Sequence, residues 1–77
     1  MAVTEKLRGL MSMAGVKGVD LAEALGISYN SASNRMYKGV KSVSDLIKIC
    51  DRCGATVLIK SKDGTVIPLT LDDVEKE

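Results

Sequence analysis

The sequence predicts a mainly helical domain that ends in a β-hairpin. Through the first two thirds of the chain, apolar residues recur at the three- and four-residue spacing of helix faces, between glycines that can end helices. From residue 56 the pattern changes to short β-branched runs on either side of Asp63-Gly64. With 77 residues, the chain can form one domain with a modest core, which a partner chain would help to stabilise.

The expected organisation is a single domain followed by a short acidic tail, which we expect to fray. Its boundaries are residues 1–71 for the domain, about 4–54 for four helices, about 55–71 for the hairpin and 72–77 for the tail.

The first two helices are short and end at glycines. The first covers about residues 4–14, with Thr4 as a possible N-cap and Gly15 as its end. The second ends at Gly26. Its apolar positions are Leu21, Ala22 and Leu25.

The third helix is polar over most of its surface. Ser28 can cap it, it runs to about Tyr37, and Gly39 can end it. Ala32 and Met36, four residues apart, are its apolar face.

The fourth helix begins with a capping-box signature, in which Ser42 is followed three residues later by Asp45, and it ends at Gly54. The residues expected to face inward are Val43, Leu46, Ile47 and Cys50.

The hairpin is expected to turn through Asp63-Gly64 as a two-residue loop. Lys62 would then face Thr65, and Pro68 would restrict pairing along the outer edge of the second strand because it lacks an N–H. One face would carry Leu58, Ile67, Leu69 and Leu71, and the other Val57, Ile59 and Val66.

Composition argues against catalysis. There is no histidine, and we find no nucleophile–base pair and no group of metal ligands, so we expect neither an enzyme nor a cofactor. No apolar run approaches the roughly 20 residues that span a bilayer, and the N-terminus lacks the pattern of a signal peptide. We therefore expect a cytoplasmic protein with no membrane partner.

The charge distribution favours an anionic partner. Residues 1–71 hold ten bases and six acids, while the tail at 72–77 holds four acids and one base. Between Glu23 and Asp45 there is no acid, but there are three bases. Gaps of this kind also arise by chance in short proteins, so charge alone does not identify the partner.

The second and third helices, joined by a tight glycine turn, are typical of a helix–turn–helix. Ala22 and Ala32 are small enough for close packing, Gly26 can take the left-handed turn conformation, and Ile27 can plug the turn into the core. With LAEALGIS, a polar helix, a basic loop and SVSDLIKICDRCG in this order, residues 4 to 54 resemble the lambda-repressor/Cro-type (XRE) DNA-binding domains.

This resemblance implies a four-helix, lambda-repressor-like helix–turn–helix fold. The chain departs from the family pattern at Arg35, where relatives often have an apolar residue, so that Met36 must supply the packing. It also continues into a hairpin where many members have a fifth helix. That ending is more like the Cro-type members, in which C-terminal β-structure builds the dimer.

The resemblance also implies that the third helix reads the major groove of double-stranded DNA. The implied base-reading residues are Tyr29, Asn30, Ser33 and Asn34. The implied phosphate contacts are Lys17, Ser28, Arg35, Lys38 and Lys41. Asparagine can pair with adenine, and a carboxylate near phosphates would be repelled.

Two features of this region have a second explanation. A polar helix can simply be solvated surface. Tyr37 can pack under the fourth helix or point its hydroxyl at a phosphate, and we expect packing because the chain has only two aromatic residues.

The Cys50-Asp-Arg-Cys53 motif invites a zinc or redox interpretation. One chain supplies only two of the four ligands of a structural zinc site, and the pair ends a helix, whereas redox pairs begin one. We expect two reduced thiols in or near the core, with a zinc ion shared between two chains as the alternative.

We expect a sequence-specific transcriptional regulator, of the phage or prophage repressor type, that acts as a homodimer and needs no small-molecule ligand. A two-stranded ribbon with apolar residues on both faces is marginal alone, so the hairpins would pack across a two-fold axis. The residues expected at this interface are Val57, Ile59 and Val66. The alternatives are an antitoxin-type DNA-binding protein or a protein-interaction module that docks a partner through the hairpin.

Overall fold

The computed structural model describes residues 3–75, which form five helices and one two-stranded antiparallel sheet. The elements are α1 (Val3–Ala14), α2 (Gly18–Leu25), α3 (Tyr29–Lys38), α4 (Val43–Arg52), β1 (Val57–Lys60), β2 (Val66–Leu69) and α5 (Leu71–Glu75). The predicted mainly helical chain with a hairpin is therefore confirmed. Within this range no helix has the length and apolar character needed to cross a membrane.

The core lies between the first four helices, and α4 is its central element. This helix packs against α1, α2, β1 and α5. Ile49 in α4 and Ala32 in α3 are each only 1% exposed. The other buried apolar residues of the core cluster are Leu7, Met11, Leu21, Ala22, Leu25, Met36 and Cys50.

Two serines cap their helices as predicted. The Ser28 hydroxyl accepts a hydrogen bond from the Ser31 N–H at 3.2 Å, and the Ser42 hydroxyl accepts one from the Asp45 N–H at 3.3 Å. Each bond satisfies one backbone donor in the first turn of its helix. The serine caps predicted for the starts of α3 and α4 are therefore confirmed, whereas the second bond of a capping box at α4, from the Ser42 N–H to the Asp45 carboxylate, is not formed in the described part of the chain.

The prediction for Thr4 is wrong. Because α1 begins at Val3, Thr4 lies inside the helix and is buried instead of capping it. Its hydroxyl accepts a hydrogen bond from the Val40 N–H at 3.0 Å. Thr4 therefore ties α1 to the loop that joins α3 to α4.

The buried stripe of α4 also differs from the prediction. Val43 opens the helix and is 58% exposed, while Ile49, which was not expected to face inward, is almost fully buried. Leu46, Ile49, Cys50 and Cys53 are spaced by three and four residues and all contact the core. The stripe thus begins one turn later than expected, and Cys53 extends it, as expected of a thiol in or near the core. Ile47 is buried as predicted, at 5% exposure.

The predicted hairpin register is wrong by one residue. The Ser61 N–H donates to the Thr65 carbonyl at 2.9 Å, and the Gly64 N–H donates to the Ser61 carbonyl at 3.1 Å. Gly64 has a φ of 92°. The loop is therefore the three-residue kind, in which a tight turn is followed by a left-handed glycine, and not a two-residue turn.

The shift moves every side chain of β2 to the opposite face, because alternate residues of a strand point in opposite directions. The pairs that share one face are Val57 with Leu69 and Ile59 with Ile67. Those on the other face are Leu58 with Pro68 and Lys60 with Val66.

Pro68 is accommodated because its missing donor faces away from β1. Hydrogen-bonded and non-hydrogen-bonded pairs alternate along an antiparallel ladder. Since Ser61 and Thr65 are bonded, the pair of Leu58 and Pro68 belongs to the non-bonded set. Pro68 therefore interrupts the outer edge of β2, where a neighbouring strand would need its N–H.

The tail does not fray where it follows the hairpin. The Thr70 N–H donates to the Asp73 carboxylate at 2.7 Å, and the Asp73 N–H donates to the Thr70 carbonyl at 3.1 Å. These bonds start α5, which packs against α4. The Thr-x-x-Asp pattern is a capping signature that the sequence analysis missed. Residues 76 and 77 of the predicted tail lie outside the described residues.

Candidate nucleic-acid interface

The turn between α2 and α3 holds the two helices in close contact. Gly26 ends α2 in the left-handed conformation, with a φ of 67°, and the Ile27 N–H donates to the Ala22 carbonyl at 3.1 Å. Ile27 is half-buried and packs against the core. Ala22 and Ala32, both buried, leave room for the helices to approach. The roles predicted for these four residues in the turn are confirmed.

The opposite face of α3 is exposed and carries neutral polar side chains. Asn30, Ser33 and Asn34 are all exposed. The helix contains no aspartate or glutamate, and it is held to the core through Ala32 and Met36. Amide and hydroxyl groups donate and accept hydrogen bonds, so this face can contact the edges of bases as well as water.

Tyr29 is 55% exposed and leans towards the start of α2. A β-carbon placed on Gly18 would lie only 2.9 Å from the Tyr29 ring, so glycine at this position leaves room for the aromatic side chain. The exposed part of the ring lies at the start of α3. The base-reading role that the resemblance implies for Tyr29 requires an exposed side chain, and more than half of it is exposed.

The Ser28 hydroxyl is already engaged in the protein. Besides capping α3, it donates a hydrogen bond to the Ser31 hydroxyl at 3.0 Å. A phosphate at this end of the helix would therefore meet backbone N–H groups before it met a free hydroxyl.

The carboxyl end of α3 is basic. Lys38 and Lys41 are exposed and line an open cleft of about 450 Å³ between the end of α3 and the start of α4. Asn34 and Arg35 line the same cleft. Lys17 is exposed at the start of α2.

Arg35 forms an ion pair within the protein. Its Nη1 atom lies 2.7 Å from Oδ2 of Asp45 in α4. The Arg35 side chain is 45% exposed, whereas the Asp45 side chain is only 14% exposed. The first acid after the acid-free segment thus reaches back to the polar helix, which the linear sequence does not reveal.

Helix α1 supports the basic end of α3, a role that sequence analysis missed. Arg8 donates a hydrogen bond to the Met36 carbonyl at 3.3 Å. A cation is favourable at this end of α3 because the last carbonyls of a helix lack donors within the helix and form the negative end of its dipole. The hydroxyl of Thr4 holds Val40 in the following loop. Neither residue has a local sequence signal for this role, since each contact joins positions far apart in the chain.

The packing predicted for Tyr37 is wrong. Its side chain is 84% exposed, and it lines a shallow cleft with Arg8 and Lys38. Met36 next to it is buried and supplies the packing that the sequence led us to expect of that residue. Tyr37 lies about 100° of helix rotation past Met36, on the side of α3 away from the core.

A second ion pair braces α2 against α4. Arg52 Nη2 lies 2.9 Å from Oδ1 of Asp20, and the other carboxylate oxygen accepts a hydrogen bond from the Lys17 N–H at 3.0 Å. These bonds hold the pKa of Asp20 below its ordinary value, and the bond from the Lys17 backbone N–H has the largest effect. The start of α2 is thereby fixed next to Lys17.

The two cysteines lie at the core side of α4. Both are free thiols; Cys50 is buried and Cys53 is half-buried. Burial raises the pKa of both thiols, which favours the neutral form over the nucleophilic thiolate. Within residues 3–75, no three histidine, cysteine, aspartate or glutamate residues come together as a possible metal site.

The three residues expected at a dimer interface do not share one face. Val57 is half-buried and packs against the core, whereas Ile59 is 51% exposed further along the same face. Val66 is 48% exposed on the opposite face. The hairpin tip therefore presents apolar side chains on both faces.

No family model, no curated protein and no solved structure matches this chain.

Proposed function

We propose that this protein is a helix–turn–helix regulator that binds double-stranded DNA through α3. The observation that carries the proposal is the division of α3 into two faces. Ala32 and Met36 anchor one face in the core, and Asn30, Ser33 and Asn34 lie on the other with no acid on the helix. This surface offers hydrogen-bonding groups to base edges without repelling phosphates.

Exposed cations precede and follow the proposed reading face along the chain. Lys17 lies at the start of α2, Lys38 is the last residue of α3, and Lys41 lies in the loop that follows it. In this proposal they contact the phosphates on either side of the groove and orient the helix, while the side chains of α3 select the sequence. Arg35 belongs to the same surface but is paired with Asp45.

The protein acts as a homodimer in this proposal. Leu58, Ile59, Val66 and Ile67 are each about half exposed at the hairpin, and burying them against a second chain would stabilise both. Two recognition helices about 34 Å apart would then meet successive major grooves of a near-palindromic site. Such a dimer, of the phage or prophage repressor type in the cytoplasm, would repress transcription by occupying an operator.

The test is selection of bound duplexes from a pool of mixed genomic fragments. A sequence-specific dimer enriches a near-palindromic motif whose half-sites are centred about one helical turn apart. Enrichment of no motif, at a salt concentration low enough for retention, would contradict sequence-specific binding.

A second candidate is a protein-interaction module that uses the hairpin and not α3. The exposed apolar side chains on both hairpin faces favour it, because they suit a protein partner as well as a second copy. An antitoxin-type protein would combine the two functions, with α3 on DNA and the hairpin on a toxin. Retention of partner binding after Asn34→Ala and Lys38→Ala, with no DNA binding by the unmodified protein, would support the module alone.

A further inference from the structure

The aspartate at the start of α4 differs from its equivalents in two other helices. Asp20, Asp45 and Asp73 each occupy the third position of a helix. Asp20 and Asp73 accept hydrogen bonds from the backbone N–H of Lys17 and Thr70, which precede their own helices. They are therefore used as ordinary capping carboxylates.

The Asp45 carboxylate is used differently. Within the described residues it makes no hydrogen bond to the Ser42 N–H, although Ser42 caps the helix in the expected way. Its Oδ2 atom instead binds Arg35 Nη1 at 2.7 Å. A capping group of α4 has thus been turned towards α3.

The two partners of the ion pair differ in exposure. The Asp45 side chain is 14% exposed at the start of α4, whereas the Arg35 side chain is 45% exposed at the rim of the cleft that also contains Lys38 and Lys41. The carboxylate is therefore the more buried partner. It neutralises the one arginine on α3.

We propose that Asp45 determines specificity by withholding Arg35 from the phosphates of DNA. The inference rests on the proposed DNA binding. Cations that contact phosphates raise the affinity for every sequence, while the neutral face of α3 separates one sequence from another. Holding Arg35 in the ion pair lowers the affinity for non-specific DNA and leaves a larger share of recognition to Asn30, Ser33 and Asn34.

The test is the salt dependence of binding to a duplex of random sequence, measured by fluorescence anisotropy between 50 and 200 mM salt. The variants are Asp45→Asn, Arg35→Ala and the double variant. Each phosphate contact adds about 0.9 to the slope of log affinity against log salt. Asp45→Asn should steepen the slope by about 0.9 per chain, which makes the loss of affinity over this range about threefold larger per chain.

Asp51→Asn is the matched control. Asp51 is an exposed aspartate on the same helix, beside the base of the hairpin, and its substitution changes the net charge equally. It should leave the slope unchanged. Circular dichroism melts establish that each variant is folded, and Asp45→Ser replaces Asp45→Asn if the latter does not fold.

The Arg35→Ala background separates withholding from simple repulsion. Without Arg35 there is no cation to release, so the Asp45 substitution should not steepen the slope. Equal steepening in both backgrounds, or no difference between Asp45→Asn and the unmodified protein when both bind, would overturn this inference and leave DNA binding intact. Absence of salt-dependent binding by both the unmodified protein and Asp45→Asn would overturn the proposed function as well.

Discussion

Ala32 is 1% exposed on the face of α3 that packs against α2. A larger side chain would force these two helices apart, because protein interiors are close-packed. We predict that Ala32→Leu lowers the free energy of unfolding by about 1–3 kcal/mol in urea titrations. Ala14→Leu, at the exposed end of α1, is the control and should change stability little. Equal stability of the two variants would mean that α2 and α3 are not in close contact.

Asn34 and Lys38 are predicted to affect DNA binding in different ways. Asn34 is an exposed amide on the proposed reading face, so Asn34→Ala should change the preference at one base pair by about 1–3 kcal/mol. Lys38→Ala should weaken binding to all sequences similarly and reduce the salt slope by about 1 per chain. Competition titrations with matched and mutated duplexes measure both effects. The same pattern in both variants would contradict this division of roles.

At individual positions, the sequence predicted contacts between near neighbours better than contacts between distant ones. The caps at Ser28 and Ser42 involve donors three residues away, so their signals are local. The pairing of Arg35 with Asp45 joins two helices and depends on their packing. A capping pattern fixes where Asp45 lies, but it does not determine which partner its carboxylate chooses.

Gly64 in the hairpin loop and Gly9 in α1 should respond in opposite ways to substitution by alanine. Gly64 has a φ of 92°, which side chains disfavour, whereas Gly9 lies inside α1 with open space around the position of a β-carbon. Gly64→Ala should destabilise the protein by more than about 1 kcal/mol, and Gly9→Ala should stabilise it by about 0.5–1 kcal/mol. Thermal melts of the two variants measure the difference. A stabilising Gly64→Ala would contradict the three-residue loop.

The same loop should make stability depend on pH in the acid range. Asp63 accepts hydrogen bonds from the Ser61 hydroxyl and from the Thr65 N–H, and these bonds lower its pKa to about 2. Because the folded protein prefers the ionised carboxylate, this contribution is complete above the unfolded pKa near 3.8 and is lost as the pH falls through about 2.

The prediction is that Asp63→Asn weakens the pH dependence of stability between pH 4 and pH 2. Hydrogen bonds from the Lys17 N–H and from Arg52 lower the pKa of Asp20 as well, so part of the pH dependence of stability should remain. Urea titrations at several pH values measure it. An unchanged pH profile in Asp63→Asn would mean that the loop carboxylate does not make these bonds in solution.

At the level of elements, helix existence was more predictable than strand register. Helices α1 to α4 follow from apolar spacing and from caps, which are local features. Asp63-Gly64 suits both a two-residue and a three-residue loop, and only the backbone conformation of the loop decides between them. The choice moves all of β2 by one residue, which is why the predicted dimer residues fell on different faces.

For the whole molecule, the exposed apolar hairpin predicts self-association. Ile59 is 51% exposed near the tip, and Ile59→Lys would place a charge in any interface formed there. We expect the unmodified protein to have the mass of two chains by light scattering, and Ile59→Lys to have the mass of one. Met13→Lys, at an 87% exposed position on α1, should remain a dimer. A monomeric unmodified protein at high concentration would remove the argument for dimerisation.

The dependence of DNA affinity on salt tests the central proposal most directly. In a dimer, Lys17, Lys38 and Lys41 supply six phosphate contacts, so affinity for mixed genomic DNA should fall by roughly 10³-fold between 50 and 200 mM salt. Binding that is absent at 50 mM salt, or that changes little over this range, would contradict DNA recognition by α3.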